Sequence, residues 1–426
     1  LVYPFLVSCA YIALLAGVLY STYFSFSAGL TFTAPQLVLI ALLAAAVIKP
    51  RRRTLGGAPG VFLLAFIGLL LLASVLAVQS GRVDAFTTRS YVQPFFYLLF
   101  YFVVIRLIPE PERMRKLLTY SVGLAAVVGV VALGVALFGS LSSPLQDPGN
   151  QYIYPSGGIG GLLRVRLPGV ALAYGLFWYA VVELQRADRR RWLWGLALLG
   201  MFISVGVSLN RNMWIGLVLG LATLLVIGGA PTRQRLLTSL VIAASAISVL
   251  LLLGPQASGP GSRLEPIVKR GETLLSPSKE AGDTSLQDRA SETDAAWSSL
   301  HGHFITGLGA GASYGATYTA NLGGGRYERS DRLFIHNQYL YLWVAGGIFA
   351  LLAFLGFVLA TLGRFWKTRR DPAMAGLFVG LAMVMVSAVV MMAFIDPGFM
   401  TLFALIAAAG FTLAPEAGRR VASRRA

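Results

Sequence analysis

A chain of 426 residues with 56% hydrophobic and 12% charged positions lies far from soluble domains, in which roughly a quarter of residues are charged. That composition, with a mean hydropathy of +0.71, excludes an ordinary soluble enzyme and reads as a polytopic membrane protein. The formal net charge of +17 is compatible with nucleic-acid binding or with membrane topology. The second reading predicts that basic residues segregate to one side of the bilayer.

Crossing about 30 Å of hydrocarbon takes about 20 apolar residues. Twelve runs meet that need, at about 5–24, 31–49, 60–79, 91–108, 117–139, 168–184, 193–209, 213–230, 236–254, 334–363, 372–395 and 398–415. The chain opens Leu1-Val2-Tyr3 with no basic region and no small-residue cleavage site, so the first run reads as a retained helix. Its single cysteine, Cys9, lies inside that run, which leaves neither a disulfide framework nor a cysteine metal site.

The connections alternate in character. One set is short and basic: Lys49 to Arg53, Arg106 to Lys116, Arg186 to Arg191, Thr232 to Arg235, Arg364 to Arg370, and the tail from Arg419 to Arg425. It holds 22 of the 35 Lys and Arg residues. By the positive-inside rule this set is cytoplasmic, both termini are inside, and the long polar segment 255–333 is outside. Most of the positive charge is thus topology, and no nucleic-acid partner is expected. The fold class is an all-α integral membrane protein of about twelve transmembrane helices, with one large outer loop between spans nine and ten. Three parts follow: 1–254 with nine spans, 255–333 as a periplasmic loop domain with short helices, and 334–426 with three spans and a basic cytoplasmic tail.

Soluble-enzyme signatures are missing from the sequence: there is no Walker loop, no Cys-x-x-Cys, no His-Glu-x-x-His and no Asp-x-Asp. Chemistry is therefore sought in the outer connections, where all three histidines lie (His301, His303 and His336). Within the long loop, Ser285 reads as the N-cap of a helix over about 286–300. That helix carries Arg289 in its first turn and Ala296, Trp297 and Leu300 on a packed face. The cluster Gly307-Leu308-Gly309-Ala310-Gly311 lacks dinucleotide-loop spacing and reads as a flexible connector. His301 and His303 have no third ligand at matching spacing, so they read as an exposed or loop-stabilising pair and no metal is expected.

His336 differs in its placement. A continuous helix over 334–363 would be about 45 Å long, which puts His336 at or above the outer interface. In the first turn it would feel the positive end of the helix dipole, which favours a neutral imidazole and a base. Arg211, in the tight connection Ser208-Leu209-Asn210-Arg211-Asn212, and Arg289 lie on the same side. The planar fork of arginine suits phosphate oxygens, and two together suit a diphosphate. Arg166, in the other arginine-bearing outer loop, is a weaker candidate for the same task.

These residues carry a resemblance. Asp288-Arg289 through Trp297, the Gly307 to Gly311 cluster, His336-Asn337-Gln338-Tyr339-Leu340, Gly346-Gly347 and the upstream Asn210-Arg211-Asn212-Met213-Trp214 resemble the signature region of the O-antigen ligase and O-antigen polymerase superfamily. The resemblance implies a metal-independent, inverting glycosyltransferase of GT-C type, with no cofactor. It implies a glycan donor on undecaprenyl diphosphate and a sugar hydroxyl of lipid A-core as acceptor, at the periplasmic face of the bacterial inner membrane. It further implies that His336 corresponds to the family's essential histidine and Arg211 and Arg289 to its essential arginines. Where an acidic residue often precedes the downstream glycines, this chain has Val344-Ala345. A polymerase joining lipid-linked repeat units is the alternative within the superfamily. A secondary transporter, which would show internal repeats, broken helices and midplane ionisable residues, is the alternative outside it.

Overall fold

The computed structural model describes residues 3–16, 23–25, 31–48, 55–138, 153–154, 164–165, 167, 169–186, 191–208, 210–229, 233–234, 236, 284–323, 326–331, 333–391 and 396–423. In chain order the helices are α1 (Tyr3–Ala16), α2 (Ala34–Ile48), α3 (Ala58–Gln79), α4 (Ala85–Phe96), α5 (Phe100–Leu107), α6 (Pro111–Phe138), α7 (Val170–Arg186), α8 (Arg191–Val207), α9 (Arg211–Ile227), α10 (Thr284–Ser299), α11 (Gln338–Thr368), α12 (Pro372–Ser387) and α13 (Pro397–Ser423). Among the described residues, five helical stretches are long and apolar enough to cross a membrane: Ala58–Gln79, Ala85–Leu107, Pro111–Val135, Gln338–Thr368 and Pro397–Ala417.

The described helices meet the twelve expected runs in part. Five further apolar helices have 10–17 described residues, among them α1 with 14 and α2 with 15. The expected ninth span, 236–254, lies outside the described residues apart from Leu236. Helices dominate, as expected, and three short antiparallel hairpins lie between them. These pair β1 (Tyr23–Ser25) with β2 (Thr31–Thr33), β3 (Ile153–Tyr154) with β4 (Arg164–Val165), and β5 (Thr317–Gly323) with β6 (Arg326–Asp331). The third falls in the long loop where only helices were expected. Thr317-Tyr318-Thr319 supplies β-favouring residues.

The fourth apolar run starts earlier than its hydropathy suggests. Asp84 caps α4 by accepting the Thr87 N–H at 2.8 Å. Hydrogen bonds from Thr87, side chain first and then backbone, hold this exposed carboxyl below its usual range. The helix then continues through one 3₁₀ turn, Tyr97–Leu99, into α5. The core is built around packed aromatic residues, among them Phe66, Phe95, Tyr101, Phe354 and Phe357, all buried. Phe66 meets Phe95 edge-on at 5.6 Å, and Tyr101 meets Phe357 at 5.8 Å. Lipid does not drive helices together as water does, so close backbone approach through small residues supplies much of the packing.

Contacts between helix ends sort the bundle into two poles. At one, Arg106 donates to the Ala46 carbonyl at 2.9 Å. Tyr101 and Arg364 both donate to the Gly56 carbonyl, at 3.1 and 2.9 Å, and Arg115 faces Glu416 at 3.6 Å. At the other, Asn210 and Asn212 bond the turn after α12, through Met391 Sδ and the Val390 carbonyl. That same turn accepts the Gln338 N–H on the Ala388 carbonyl at 2.9 Å.

Candidate functional site

The site stands where α10, the segment after it and the start of α11 converge. Helix α10 begins at Thr284, so Ser285 lies inside the helix and is not its N-cap. Its inward face runs through Glu292, Ala296 and Leu300, which are 2%, 0% and 3% exposed. These positions recur every four residues, the spacing of one helix face. Trp297, expected on that face, is half exposed and meets Trp343 edge-on at 5.2 Å.

The glycine cluster is not a loose connector. It fills a break in α11. At Gly347 the backbone takes φ 76° and ψ 175°, a region essentially restricted to glycine. The break frees a carbonyl and an N–H, which lipid would leave unsatisfied at a cost of several kcal/mol each. Residues before and within the glycine cluster meet both: Leu308 N–H donates to the Val344 carbonyl at 2.6 Å, and Ile348 N–H donates to the Phe304 carbonyl at 3.1 Å. The Phe304 carbonyl also accepts Trp343 Nε1–H at 3.0 Å. A β-carbon on Gly307 would lie 2.6 Å from the Gly347 nitrogen, and one on Gly347 would run into the Ile305 carbonyl. The part of α11 after the break, 348–368, is about 31 Å long, one hydrocarbon thickness.

The break changes where His336 stands. It is not in the first turn of a continuous helix. Asn337 is the N-cap, accepting the Tyr339 and Leu340 N–H groups at 3.1 Å, and His336 precedes it. The neighbour that sets its chemistry is therefore a carboxylate on another helix and not the helix dipole. His336 Nδ1 lies 3.0 and 2.9 Å from the two carboxylate oxygens of Glu292. The His336 backbone N–H donates to the same carboxylate at 3.2 Å. With Glu292 ionised, Nδ1 carries the hydrogen and Nε2 is left with its lone pair. The imidazole is 33% exposed and Glu292 only 2%, so a buried carboxylate holds the ring at Nδ1 while part of the side chain remains accessible. The Phe334 ring meets the imidazole edge-on at 5.6 Å. The Phe334 carbonyl is fixed by Tyr314 Oη–H at 2.7 Å, and burial pushes the Tyr314 phenol well above its ordinary range, keeping it a donor.

Glu292 was missed in the sequence, where an acidic helper was sought on α11 and Val344-Ala345 stood in its place. Its signal was there: it lies three residues after Arg289 and four before Ala296, on the face already predicted to pack. Arg289 is half-buried, one turn before Glu292 on α10. Arg211 is the first residue of α9, half-buried, behind the Asn210 cap. The turn at 388–391 ties the start of α9 to the start of α11. Arg166 lies outside the described residues. His301 is exposed, with Nδ1 3.2 Å from the Ser298 carbonyl of its own turn, and His303 is half-buried.

Placed against known proteins, the chain matches no curated protein. Residues 196–355 match the family model described as O-antigen ligase. That stretch holds Arg211, Arg289, Glu292, the glycine cluster, His336 and the break at Gly347. Over 196–355 this membrane-helix protein is thus similar to the O-antigen ligase family.

Proposed function

We propose that this protein transfers a glycan from undecaprenyl diphosphate to a sugar hydroxyl of lipid A-core at the periplasmic face of the inner membrane. The observation that carries the reading is the imidazole of His336, gripped at Nδ1 by a buried carboxylate and 33% exposed, inside the matched stretch. In the proposed step Nε2 takes the proton of the acceptor hydroxyl while its oxygen bonds to the anomeric carbon. The anomeric carbon to phosphate-oxygen bond breaks, and undecaprenyl diphosphate leaves with the electron pair. Glu292 holds the ring's tautomer and stabilises the imidazolium as it forms. A general base contributes about 10² to 10⁴ in rate. Arg211 and Arg289 stabilise charge growing on the diphosphate, with Arg166 assigned to the donor as well. One displacement inverts the anomeric centre.

The proposed topology has twelve spans, with 255–333 outside. The three parts are 1–254, 255–333 and 334–426. It is supported by the polar division of contacts: Arg106, Arg115 and Arg364 gather at one end, and α10, His336 and the 388–391 turn gather at the other. The break in α11 does not favour transport. Its freed groups are met by the glycine segment, and no Asp, Glu, Lys, Arg or His occurs between Gln338 and Gly363.

Purified protein incubated with lipid-linked glycan and lipid A-core, without nucleotide and with a chelator, should yield the joined product. Product that forms without lipid A-core, by joining two lipid-linked glycans, would replace the ligase reading with the polymerase one. Activity lost to the chelator and restored by a divalent ion would overturn the arginine assignment.

A further inference from the structure

A cavity of about 570 Å³ opens between α2, α3 and α4, away from His336. Its volume falls in the range of sites that take small molecules, about 300 to 1,000 Å³. Its two ends differ in chemistry. Leu39, Leu71 and Phe96 line the deeper part, and Gln36, Thr88 and Arg89 line the part near the starts of α2 and α4. This is the pole that also carries the catalytic segment, because the far end of α2 is fixed at the other pole by the Arg106 bond to Ala46. Ile40 and Val75, both in its wall, are 51% and 50% exposed, so the cavity is open sideways on a surface that faces lipid in the proposed topology.

The polar end is built and not incidental. Gln36 is 7% exposed, and its Oε1 accepts the Thr33 N–H at 2.8 Å, which aims Nε2 elsewhere. Neither Gln36 Nε2 nor Thr88 Oγ1, both buried, has a hydrogen-bond partner within the described protein. Burying such groups without a partner is unfavourable. Two hydrogen-bond donors and a guanidinium around one opening suit an oxygen-rich anion, and the apolar depth suits a hydrocarbon chain.

We propose that this cavity seats one hydrocarbon chain of a phosphate-bearing lipid, with its head at Gln36, Thr88 and Arg89 and its chain along Leu39, Leu71 and Phe96. The site is coupled to the catalytic segment through its own wall. Ser74, which lines it, accepts the Ala310 N–H at 3.5 Å from the glycine cluster that mends α11. The polyprenyl chain of a donor, an acyl chain of an acceptor and a membrane phospholipid share this chemistry, and binding separates them. The proposal concerns binding alone and holds whichever transfer His336 supports.

The full-length protein, stripped of lipid in detergent, is tested by native mass spectrometry with three probes: undecaprenyl phosphate, hexa-acylated lipid A and phosphatidylglycerol. Leu71→Trp fills the cavity, and Val218→Trp places the same ring on the exposed side of α9 as a control. At least one probe should bind the wild type and the control alike, and Leu71→Trp should weaken it by about tenfold or more. Arg89→Gln should weaken the same probe by about threefold to tenfold and leave its dephosphorylated analogue unaffected. The probe that responds identifies the lipid. Should Leu71→Trp lower the thermal midpoint, Ile40→Trp fills the cavity from α2 and repeats the measurement. Equal binding of every probe to the cavity-filling variants and the control, or no binding by the wild type, would overturn the proposal.

Discussion

At the pole where Arg106, Arg115 and Arg364 sit, guanidinium groups meet carbonyls or a carboxylate of neighbouring helices, and Arg364 also lies over the Phe411 ring at 4.7 Å. At the opposite pole, Arg211 heads α9 and Arg289 lies one turn before a glutamate that grips an accessible imidazole. The same residue type thus ties helix ends at one pole and, at the other, lies on the helices assigned to the proposed site. The first arrangement predicts effects on stability, and the second predicts effects on turnover with the fold intact.

The largest effect that tests this contrast is His336→Ala. It should lower transfer by about 10² to 10⁴, with donor binding largely retained, because the assigned role is proton removal. Arg364→Ala should instead cost about 1 to 3 kcal/mol of stability by leaving the Gly56 carbonyl with one donor fewer, with turnover per folded molecule unchanged. Substantial activity of His336→Ala at saturating acceptor would turn the base into a positioning group. Next come Arg289→Lys and Arg211→Lys, which keep charge and lose the fork. Each should reduce kcat about tenfold to a hundredfold, by the loss of oriented charge stabilisation, at an unaltered melting temperature. Near-normal rates in both would remove the diphosphate assignment.

Glu292→Gln separates orientation from chemistry. The amide is close in shape but no longer stabilises the imidazolium, so kcat should fall about a hundredfold while KM for the lipid-linked donor stays the same. A rise in KM with kcat unchanged would make Glu292 a merely structural partner of the His336 loop.

How much of this was legible in the sequence depends on which force sets each feature. Long apolar helices follow from hydropathy, so α3, α6 and α13 stand close to where their runs place them. The helix around Arg289 was legible from its buried spacing, although its start at Thr284 was not. The Glu292 to His336 pair joins residues 44 apart in sequence, and only the burial of α10 against α11 brings them together. Glycine spacing alone does not distinguish a loose connector from a close fit. The distinguishing sign was the second glycine pair, Gly346-Gly347, inside an apolar run too long for one crossing.

That fit yields a stability prediction at the reactive pole. Gly347→Ala forces a side chain into positive φ and against the Ile305 carbonyl, at a cost of about 1 to 3 kcal/mol from backbone strain. A lower thermal midpoint is expected, and transfer should fall with it because the Phe304 to Leu308 segment is displaced from α11. An unshifted midpoint would show that α11 does not need the break.

The smallest effect is expected at the remaining histidines. His301 is exposed and contacts a carbonyl of its own turn, whereas His336 is held from another helix by a buried carboxylate. Proximity in sequence to the glycine cluster therefore gives His301 and His303 no share in the assigned chemistry. Surface substitutions of this kind change stability by about 0.5 kcal/mol or less, so His301→Ala with His303→Ala should melt and turn over like the wild type, with and without chelator. The measurement is sharpest as a pair with His336→Ala in one preparation, since all three substitutions remove an imidazole and only the last removes one braced by Glu292. If the double variant lost most of its activity, the division between a braced and an unbraced histidine would fail, and the chemistry of this pole would have to be reassigned to all three rings.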